Sequence, residues 1–447
     1  MFRLLTPEDY GLMAMSMVII SIIAGIAEFG LGASLIQAKT VSRQELAHLA
    51  GALAALNMGC GVLVVVGAEP FANLLGDARL TDVIRVLALQ FLLSAIEAVP
   101  YSIAYREMQF KRLAGIEIAA TLVGSMVTLT LAWLEAGVWA LVFGGVAGGV
   151  LRTTLYVCLG TFVWPSFRLR GIARHARFGG AVTAGRILWQ LTYQADVLIA
   201  GRFLTSQTVG LYSVSLHLAT LPMHKAMGIL NQVAFPAVAR LQDELPRMRQ
   251  RLLDSLRLLA FAAIPMFWGI SAVAPEFVHV VLGKKWYPAI FALQVVSLVA
   301  PMRMLAAVFS TALAAIGRAD LDLRNMLIGA VVLPAAFLIG VQWGLDGLAA
   351  SWVAGIPIVF ALNFPRTLAA IGLRQSQLWA AVRVPLIAGV IMIVLVAGVR
   401  TVLIEYDEFL RLPLLIVVGA AGYLGSVQLL DRVIWTDVRR LVAAARG

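Results

Sequence analysis

Long apolar runs separated by short polar connections dominate the chain. Thirteen runs reach the roughly 20 residues that an α-helix needs to cross the hydrocarbon core of a bilayer. They lie at 11–34, 49–67, 84–104, 113–134, 138–162, 178–200, 209–236, 255–274, 289–314, 324–342, 347–364, 380–399 and 412–430. Because lipid offers no partners for backbone N–H and C=O groups, each run is predicted to be a helix. The pattern therefore predicts an all-α protein that crosses a membrane many times.

The composition agrees with a protein that lies largely in lipid. Hydrophobic residues make up 61% of the 447 residues and charged residues only 13%, whereas soluble domains carry about 25% charged residues. The net charge of +11 does not indicate a nucleic-acid partner, because the basic residues form short clusters between apolar runs. The sequence has no nucleotide-binding loop, zinc-protease motif or Cys and His set with metal-ligand spacing. We therefore expect no catalytic site, no metal and no cofactor.

Basic residues are divided unequally between the two sides of the membrane. Alternate connections, starting after the first span and ending with the tail, hold 22 Lys and Arg residues, whereas the opposite connections hold 7. Cytoplasmic connections carry the excess of basic residues in membrane proteins. The richer side and the C-terminus are therefore predicted to be cytoplasmic. Lys284 and Lys285 are an exception on the opposite side.

An internal repeat divides the chain into two related halves. The stretch LTPEDYGLMAMS from Leu5 matches LTSQTVGLYSVS from Leu204 at five of twelve positions, with an offset of 199 residues. AEPFANLLG from Ala68 similarly matches APEFVHVVLG from Ala274. Both halves are predicted to have six helices and to enter from the same side, so the repeat is parallel. We expect two pseudo-symmetric six-helix bundles, followed by two further helices, around a central cavity that opens by alternating access.

The first half lacks a counterpart of one helix of the second half. A complete apolar span precedes RFLTSQTVGLY, whereas the equivalent FRLLTPEDYGL begins at Phe2. Restoring this helix would give fourteen, and we expect a truncated or mis-assigned start. The predicted domains are an N-terminal bundle (1–164), a basic amphipathic connector (165–177), a C-terminal bundle (178–370), two additional transmembrane helices (378–432) and a basic cytoplasmic tail (433–447).

Several ionisable residues lie within the predicted spans. Each costs roughly 2.5–3.5 kcal/mol in the membrane unless it is paired or hydrated. They are Glu28, Glu97, Arg152, Arg186, Asp196, Lys225 and Arg303. The repeat offsets bring Lys225 close to the equivalent of Glu28, and Arg303 close to the equivalent of Glu97. The two halves thus place opposite charges at similar depth.

These charges support three interpretations. In the first, the charged residues form interhelical ion pairs that hold the halves together. In the second, the cations line a polar cavity that binds an anionic ligand. These two arrangements can alternate. The third interpretation is a proton or cation relay through Glu28, Glu97 and Asp196. We take the cations Arg152, Arg186, Lys225 and Arg303 as candidate substrate contacts and the three acids as candidate coupling or ion-pair residues.

Several stretches together resemble a known family of transporters. They are RLLTPEDYGLMAM, FGLGASLIQ, REMQFKRLAGIEI, DVLIAGRFLTSQTVGLYSVS and FPAVARLQDELPRMRQRLLDSLRLLAFAAIPMFWGISAVAPEFVHVVLGKKWYPAI. In combination they resemble polysaccharide flippases of the multidrug/oligosaccharidyl-lipid/polysaccharide (MOP) superfamily, in the colanic-acid-exporter-like branch. The resemblance implies a flippase that moves undecaprenyl-diphosphate-linked oligosaccharides across the bacterial inner membrane for lipopolysaccharide or exopolysaccharide biosynthesis. Membrane lipids and polysaccharide polymerase machinery are the candidate partners. The membrane potential, H⁺ and Na⁺ stay open as alternative sources of energy.

Two alternatives stay open at this point. A drug or cation antiporter of the same fold would need an acidic cavity, yet cations slightly outnumber acids within the spans. A membrane-embedded polymerase or glycosyltransferase would need a sizeable loop with clustered acids outside the membrane. The richest such loop, EYDEFLR from Glu405, is too short for this.

Overall fold

The structure is a computed structural model that describes residues 1–27, 42–167, 173–239 and 245–431. Within these ranges, the side chains of 173–182, 184–186, 224–239 and 245 are outside the description. The described residues form helices and turns, and no strand occurs among them. The prediction of an all-α polytopic membrane protein is confirmed.

The first of two compact units covers Met1–Gly210. Its helices are α1 (Pro7–Ala27), α2 (Arg43–Leu75), α3 (Leu80–Leu87), α4 (Leu89–Arg106), α5 (Phe110–Trp133), α6 (Val138–Val157), α7 (Ala173–Phe203) and the first turn of α8 (Ser206–Ala239). Local sequence explains both ends of α2. Ser42 and Glu45 form a reciprocal capping box at its start, and Gly76, with φ of 75°, ends it in the left-handed conformation.

The second compact unit covers Leu211–Gly447. After the remainder of α8 it contains α9 (Leu245–Phe277), a π-helical turn (Val278–Leu282), a 3₁₀ turn (Lys284–Ala289), α10 (Ile290–Ala315), α11 (Ala319–Gly340), a second 3₁₀ turn (Val341–Trp343), α12 (Gly344–Ile371), α13 (Gln375–Val402) and α14 (Glu408–Leu430). The division at Gly210 follows internal contacts and does not test the five domains expected from the repeat, which stay a prediction.

Within the described residues, each predicted apolar run overlaps helical structure. The run 84–104 spans the end of α3 and most of α4, and the run 11–34 is described only as far as Ala27. By length and composition, ten helical stretches there qualify as candidate membrane spans, and one of them, Ala319–Ile371, contains both α11 and α12. The count of thirteen membrane-crossing helices stays a prediction.

In helix α5, one face packs against the protein and another face is apolar and exposed. Its buried residues recur every three or four positions and are Leu113, Ile116, Ala120, Gly124, Thr128 and Ala132. A Cβ atom on Gly124 would lie 2.8 Å from the carbonyl oxygen of Gly144, so α5 and α6 approach each other closely. An exposed apolar stripe covers another face, at Ile118, Leu122, Met126 and Leu129, and we call it the lipid stripe of α5.

The repeated stretches LTPEDYGL and LTSQTVGL contact each other through equivalent residues of the first unit. A Cβ atom on Gly11 would lie 1.7 Å from the carbonyl oxygen of Ser206, and one on Gly210 would lie 1.7 Å from that of Pro7. The positions 7 and 206, like 11 and 210, differ by the repeat offset of 199 residues. The contact is therefore locally two-fold symmetric, and it leaves no room for any side chain at either glycine.

Polar residues surround this glycine contact. Arg79 Nη2 donates to Glu8 Oε1 and to Asp77 Oδ2, both at 2.7 Å, and to Ser206 Oγ at 3.2 Å. The hydrogen bonds and charge of Arg79 hold the pKa of the Asp77 carboxyl below its usual range. Arg79 therefore links the starts of α1 and α8 to the turn between α2 and α3.

In the second unit, ion pairs connect the last two helices to α9. Glu276, only 1% exposed, accepts from Arg400 Nε at 2.8 Å and lies 3.4 Å from Arg411 Nε. In the first half of α9, Arg257 pairs with Asp431. Because α13 and α14 are the two helices expected beyond the repeat, these pairs attach them to the second half.

We expect Gly210→Ala to destabilise the protein by about 1–3 kcal/mol, because the added methyl group overlaps the backbone of Pro7. Thermal midpoints in detergent measure the effect. Gly145→Ala is the matched control, since a Cβ atom there meets nothing within 4 Å and alanine favours the helix. Equal midpoints for Gly210→Ala and the wild type would contradict the glycine contact.

We expect Glu276→Ala to lower the free energy of unfolding by about 3 kcal/mol, because it leaves two arginines without their shared carboxylate. Unfolding in mixed SDS micelles measures this cost. Asp82→Ala serves as control, because its pair with Arg85 is exposed and contributes little. A Glu276→Ala protein as stable as the control would refute the attachment of the last helices by this residue.

Candidate functional site

Arg152 and Glu97 form an ion pair between α6 and α4 in the first unit. Arg152 Nη2 donates to Glu97 Oε1 at 2.7 Å and Arg152 Nε donates to Oε2 at 3.1 Å. Thr153 Oγ1 donates to the same Oε2 at 2.8 Å. A planar guanidinium that meets a carboxylate at two points gives the strongest geometry for such a pair. The carboxylate is thus held from two sides.

The pair lies deep within the predicted span. Glu97 stands nine residues before Arg106 at the end of α4, which corresponds to roughly 13 Å along the helix axis. Its side chain is 12% exposed, whereas that of Arg152 is 36% exposed. A guanidinium exposed at such a depth needs water or a polar ligand, because contact with hydrocarbon is costly. The face that carries Arg152 is therefore suited to a hydrated surface.

Residues to which the sequence assigned no role extend this polar site. Tyr156 is one helical turn after Arg152 and donates its hydroxyl to Glu117 Oε1 at 3.0 Å. Its ring meets that of Tyr101 edge-on, with centroids 5.7 Å apart. The spacing of Glu97 and Tyr101, like that of Arg152 and Tyr156, is four residues, and this helical spacing is the sequence signal that could have identified a shared face.

Arg303, on α10 of the second unit, lies over an aromatic ring. Its guanidinium carbon is 4.4 Å from the ring centroid of Trp352, which is a cation–π geometry. Trp352 Nε1 in turn donates to the Tyr212 hydroxyl at 2.8 Å. Trp352 and Tyr212 are almost completely buried. Two fixed aromatic residues of α12 and α8 thus position this arginine.

The remaining candidates differ in how far the structure describes them. Asp196 of α7 is fully buried, and its Oδ1 accepts the backbone N–H of Val197 at 2.8 Å. Arg186 lies on α7 and Lys225 on α8, but their side chains fall outside the description, and Glu28 lies outside the described residues. Among the candidates, the structure brings Arg152 and Glu97 together.

A double-mutant cycle tests the Arg152–Glu97 pair. Glu97→Gln and Arg152→Gln are each expected to lower the free energy of unfolding by about 3 kcal/mol, because each leaves the other charge without its partner in the membrane. The double variant should be more stable than the sum of the two losses implies, with a coupling energy of about 2 kcal/mol measured by unfolding in SDS micelles. The same cycle on the exposed pair Asp82 and Arg85 is the control. If the losses of stability from the two single substitutions simply add in the double variant, Arg152 and Glu97 do not form an ion pair.

Sequence and structure comparisons agree on the kind of protein this is. Over 354 residues, the chain is 27% identical to the lipopolysaccharide biosynthesis protein WzxC of Escherichia coli, covering 77% of this chain and 71% of WzxC. The lipid II flippase MurJ, in an inward closed conformation, superposes with a TM-score of 0.75 at 13% identity. That superposition covers 96% of this chain and 94% of MurJ. At this identity, the likeness to MurJ concerns the fold.

An inward-facing MATE multidrug transporter of the MOP superfamily superposes with a TM-score of 0.65 at 16% identity, covering 82% of this chain and 91% of the transporter. The resemblance to the MOP superfamily is thereby confirmed at the level of the fold. The family model described as "Polysaccharide biosynthesis protein" matches residues 1–291, which is more than half of the chain. The chain is therefore a multi-pass membrane protein that belongs to the polysaccharide biosynthesis protein family.

Proposed function

We propose that this chain is a flippase that moves a lipid-linked oligosaccharide across the bacterial inner membrane. The observation that supports this most is the superposition with a lipid II flippase over 96% of the chain, combined with membership of a polysaccharide biosynthesis family. The substrate class would be an undecaprenyl-diphosphate-linked repeat unit of a lipopolysaccharide or exopolysaccharide. The protein changes the position of this lipid and none of its covalent bonds.

The charges within the spans suit the head group of such a lipid. A diphosphate is an anion, and arginine binds phosphate oxygens through two parallel N–H donors. Arg152 and Arg303 are each held by a neighbouring residue, Glu97 and Trp352 respectively, so that each guanidinium is oriented before a ligand arrives. Together with Arg186 and Lys225 they are our candidates for diphosphate contacts.

The membrane potential has the correct sign for export of an anion. With the inside negative, outward movement of one negative charge is favoured by about 2.3 kcal/mol per 100 mV. We propose alternating access as the route, with the connections rich in basic residues and the C-terminus in the cytoplasm. Exchange of H⁺ or Na⁺ at Glu28, Glu97 or Asp196 would couple the cycle to an ion gradient, and a polysaccharide polymerase would receive the product.

A cation antiporter is the second candidate, favoured by the superposition with a MATE multidrug transporter. The site in the first unit argues against it, because the guanidinium of Arg152 already pairs with Glu97 and neutralises that carboxylate. A cation would be repelled by Arg152. A flippase for an anionic lipid uses the same guanidinium as a contact.

Arg303→Ala and Arg186→Ala are expected to lower surface polysaccharide at least severalfold and to cause lipid-linked precursor to accumulate on the cytoplasmic side. The physical reason is the loss of a phosphate contact of about 1.5–3 kcal/mol. Radiolabelled precursor and surface polymer are measured in cells, and flipping without bond formation is measured in vesicles. Arg366→Ala, an exposed arginine that bonds a backbone carbonyl of its own helix, is the control. Normal export by both variants at normal protein levels would remove these residues from the site.

A further inference from the structure

A row of aromatic rings continues from the ion pair towards the end of α4. Glu97, Tyr101 and Tyr105 follow at intervals of four residues and so share one face of the helix. The ring centroids of Tyr101 and Tyr105 are 6.0 Å apart, and Tyr101 meets Tyr156 of α6 at 5.7 Å. Tyr105 meets Phe110 edge-on at 5.4 Å. We call Tyr101, Tyr105 and Tyr156, with Glu97, Glu117 and Arg152 beside them, the tyrosine row.

Hydrogen-bonding groups accompany this row along its length. Arg152 and Thr153 bond Glu97 at the deep end, and Tyr156 bonds Glu117 next to Tyr101. Carboxylates and hydroxyl groups therefore lie beside the rings of Tyr101 and Tyr156.

Part of the row is open to its surroundings, whereas Tyr156 is 1% exposed and supports Tyr101 and Glu117 from within. Tyr101 is 38% and Tyr105 40% exposed, and Glu117 belongs to the exposed residues. The lipid stripe of α5 is purely apolar, at Ile118, Leu122, Met126 and Leu129. Glu117 precedes this stripe by one residue, which rotates it by about 100° around the helix. A carboxylate and a guanidinium on one exposed face require contact with water or with a polar ligand.

A saccharide has the chemistry that such a surface recognises. Sugar rings present an apolar face of C–H groups, which packs on an aromatic ring, and a rim of hydroxyl groups that both donate and accept hydrogen bonds. Carboxylates accept from these hydroxyls, and arginine and tyrosine donate to them. Aromatic walls with a few fixed polar groups are typical of small-molecule sites.

The charges of the row distinguish a sugar from the other ligands. An anion is disfavoured beside Tyr101, where Tyr156 holds the Glu117 carboxylate, whereas a phosphate group would meet Arg152 at the deep end of the row. An organic cation is disfavoured because Arg152 already neutralises Glu97, and because Tyr101 and Tyr156 contact each other edge-on with centroids 5.7 Å apart, which leaves no space for a cation between the two rings. A neutral group rich in hydroxyls meets neither objection.

We propose that the tyrosine row binds the saccharide part of the transported lipid, with Tyr101 and Tyr105 as packing surfaces and Glu117 as hydrogen-bond acceptor. This inference rests on the proposed flippase function and assigns the two parts of the lipid head group to different residues. The diphosphate contacts the cations, and the sugar contacts the row. The row reaches from the end of α4 to Glu97, so it offers successive positions to a sugar that moves into the membrane.

Two measurements test the tyrosine row. The first is binding of the free oligosaccharide, released by mild acid from the lipid-linked pool of the producing strain, to protein in nanodiscs, followed by saturation-transfer NMR. The second is flipping of that lipid-linked pool in vesicles, compared with sugar-free undecaprenyl diphosphate. Tyr101→Ala should weaken oligosaccharide binding about tenfold through loss of ring packing and slow flipping of the glycosylated lipid similarly. Binding of sugar-free undecaprenyl diphosphate should not change, which also shows that the variant folds.

Controls separate ring packing from general damage. Tyr101→Phe keeps the ring and should retain most of the binding. Tyr406→Ala removes a tyrosine that is 57% exposed in the connection before α14, and Met126→Ala removes a side chain of the lipid stripe. Both should bind oligosaccharide and flip the lipid as the wild type does. Glu117→Gln should weaken oligosaccharide binding less than Tyr101→Ala, because the amide still accepts a hydrogen bond.

The outcomes distinguish this inference from the proposed function. If Tyr101→Ala and Tyr105→Ala both bind the oligosaccharide with wild-type affinity, the row is not a saccharide site even though flipping continues. If the wild type binds the oligosaccharide through the row but flips no lipid, the flippase function fails and the site stands. If tetraphenylphosphonium binds in a manner that depends on Glu117 while the oligosaccharide does not bind, the row is a cation site and the inference is overturned.

Discussion

The free-energy cost of an uncompensated charge in hydrocarbon constrains the placement of Arg152 and Glu97. Either charge alone would cost several kcal/mol at this depth, yet the two together, with Thr153, form a satisfied group. Because the pair joins α4 to α6, it fixes the rotation of both helices about their axes. That rotation in turn places Tyr101 and Tyr156 in contact and brings Glu117 to the same face. The polar face of the first unit therefore depends on one ion pair.

Small residues supply the second constraint on helix packing. Helices in a bilayer gain little from burial of apolar side chains, since lipid tails are equally apolar, so close backbone approach contributes most of the attraction. Gly124 and Gly144 allow this approach between α5 and α6, and Gly11 and Gly210 allow it between the starts of α1 and α8. The last pair also occupies equivalent positions of the repeat, which accounts for the recurrence of glycine there.

These constraints explain how the fold is shared at 13–16% identity with transporters of different cargo. At this identity, what the chain shares with them is the fold. Cargo depends on which polar side chains the hydrated faces carry. In this chain such faces combine guanidinium groups suited to a phosphate with tyrosine rings suited to a sugar, and both belong to one lipid-linked molecule in the proposed function.

The sequence by itself determined the positions of the helices, because the length of an apolar run and the need for internal backbone hydrogen bonds leave the chain no alternative in lipid. It also determined the repeat, and the offset of 199 residues makes Gly11 and Gly210 equivalent positions, whereas the structure shows that they meet. It could not assign a partner to Glu97. Four candidate cations lay within the spans, and the sequence provided no ground for choosing among them. In the described structure Glu97 pairs with Arg152, 55 residues away on α6. Only packing decided this, because an ion pair requires two side chains to meet within about 3 Å, and that depends on the rotation of each helix about its axis.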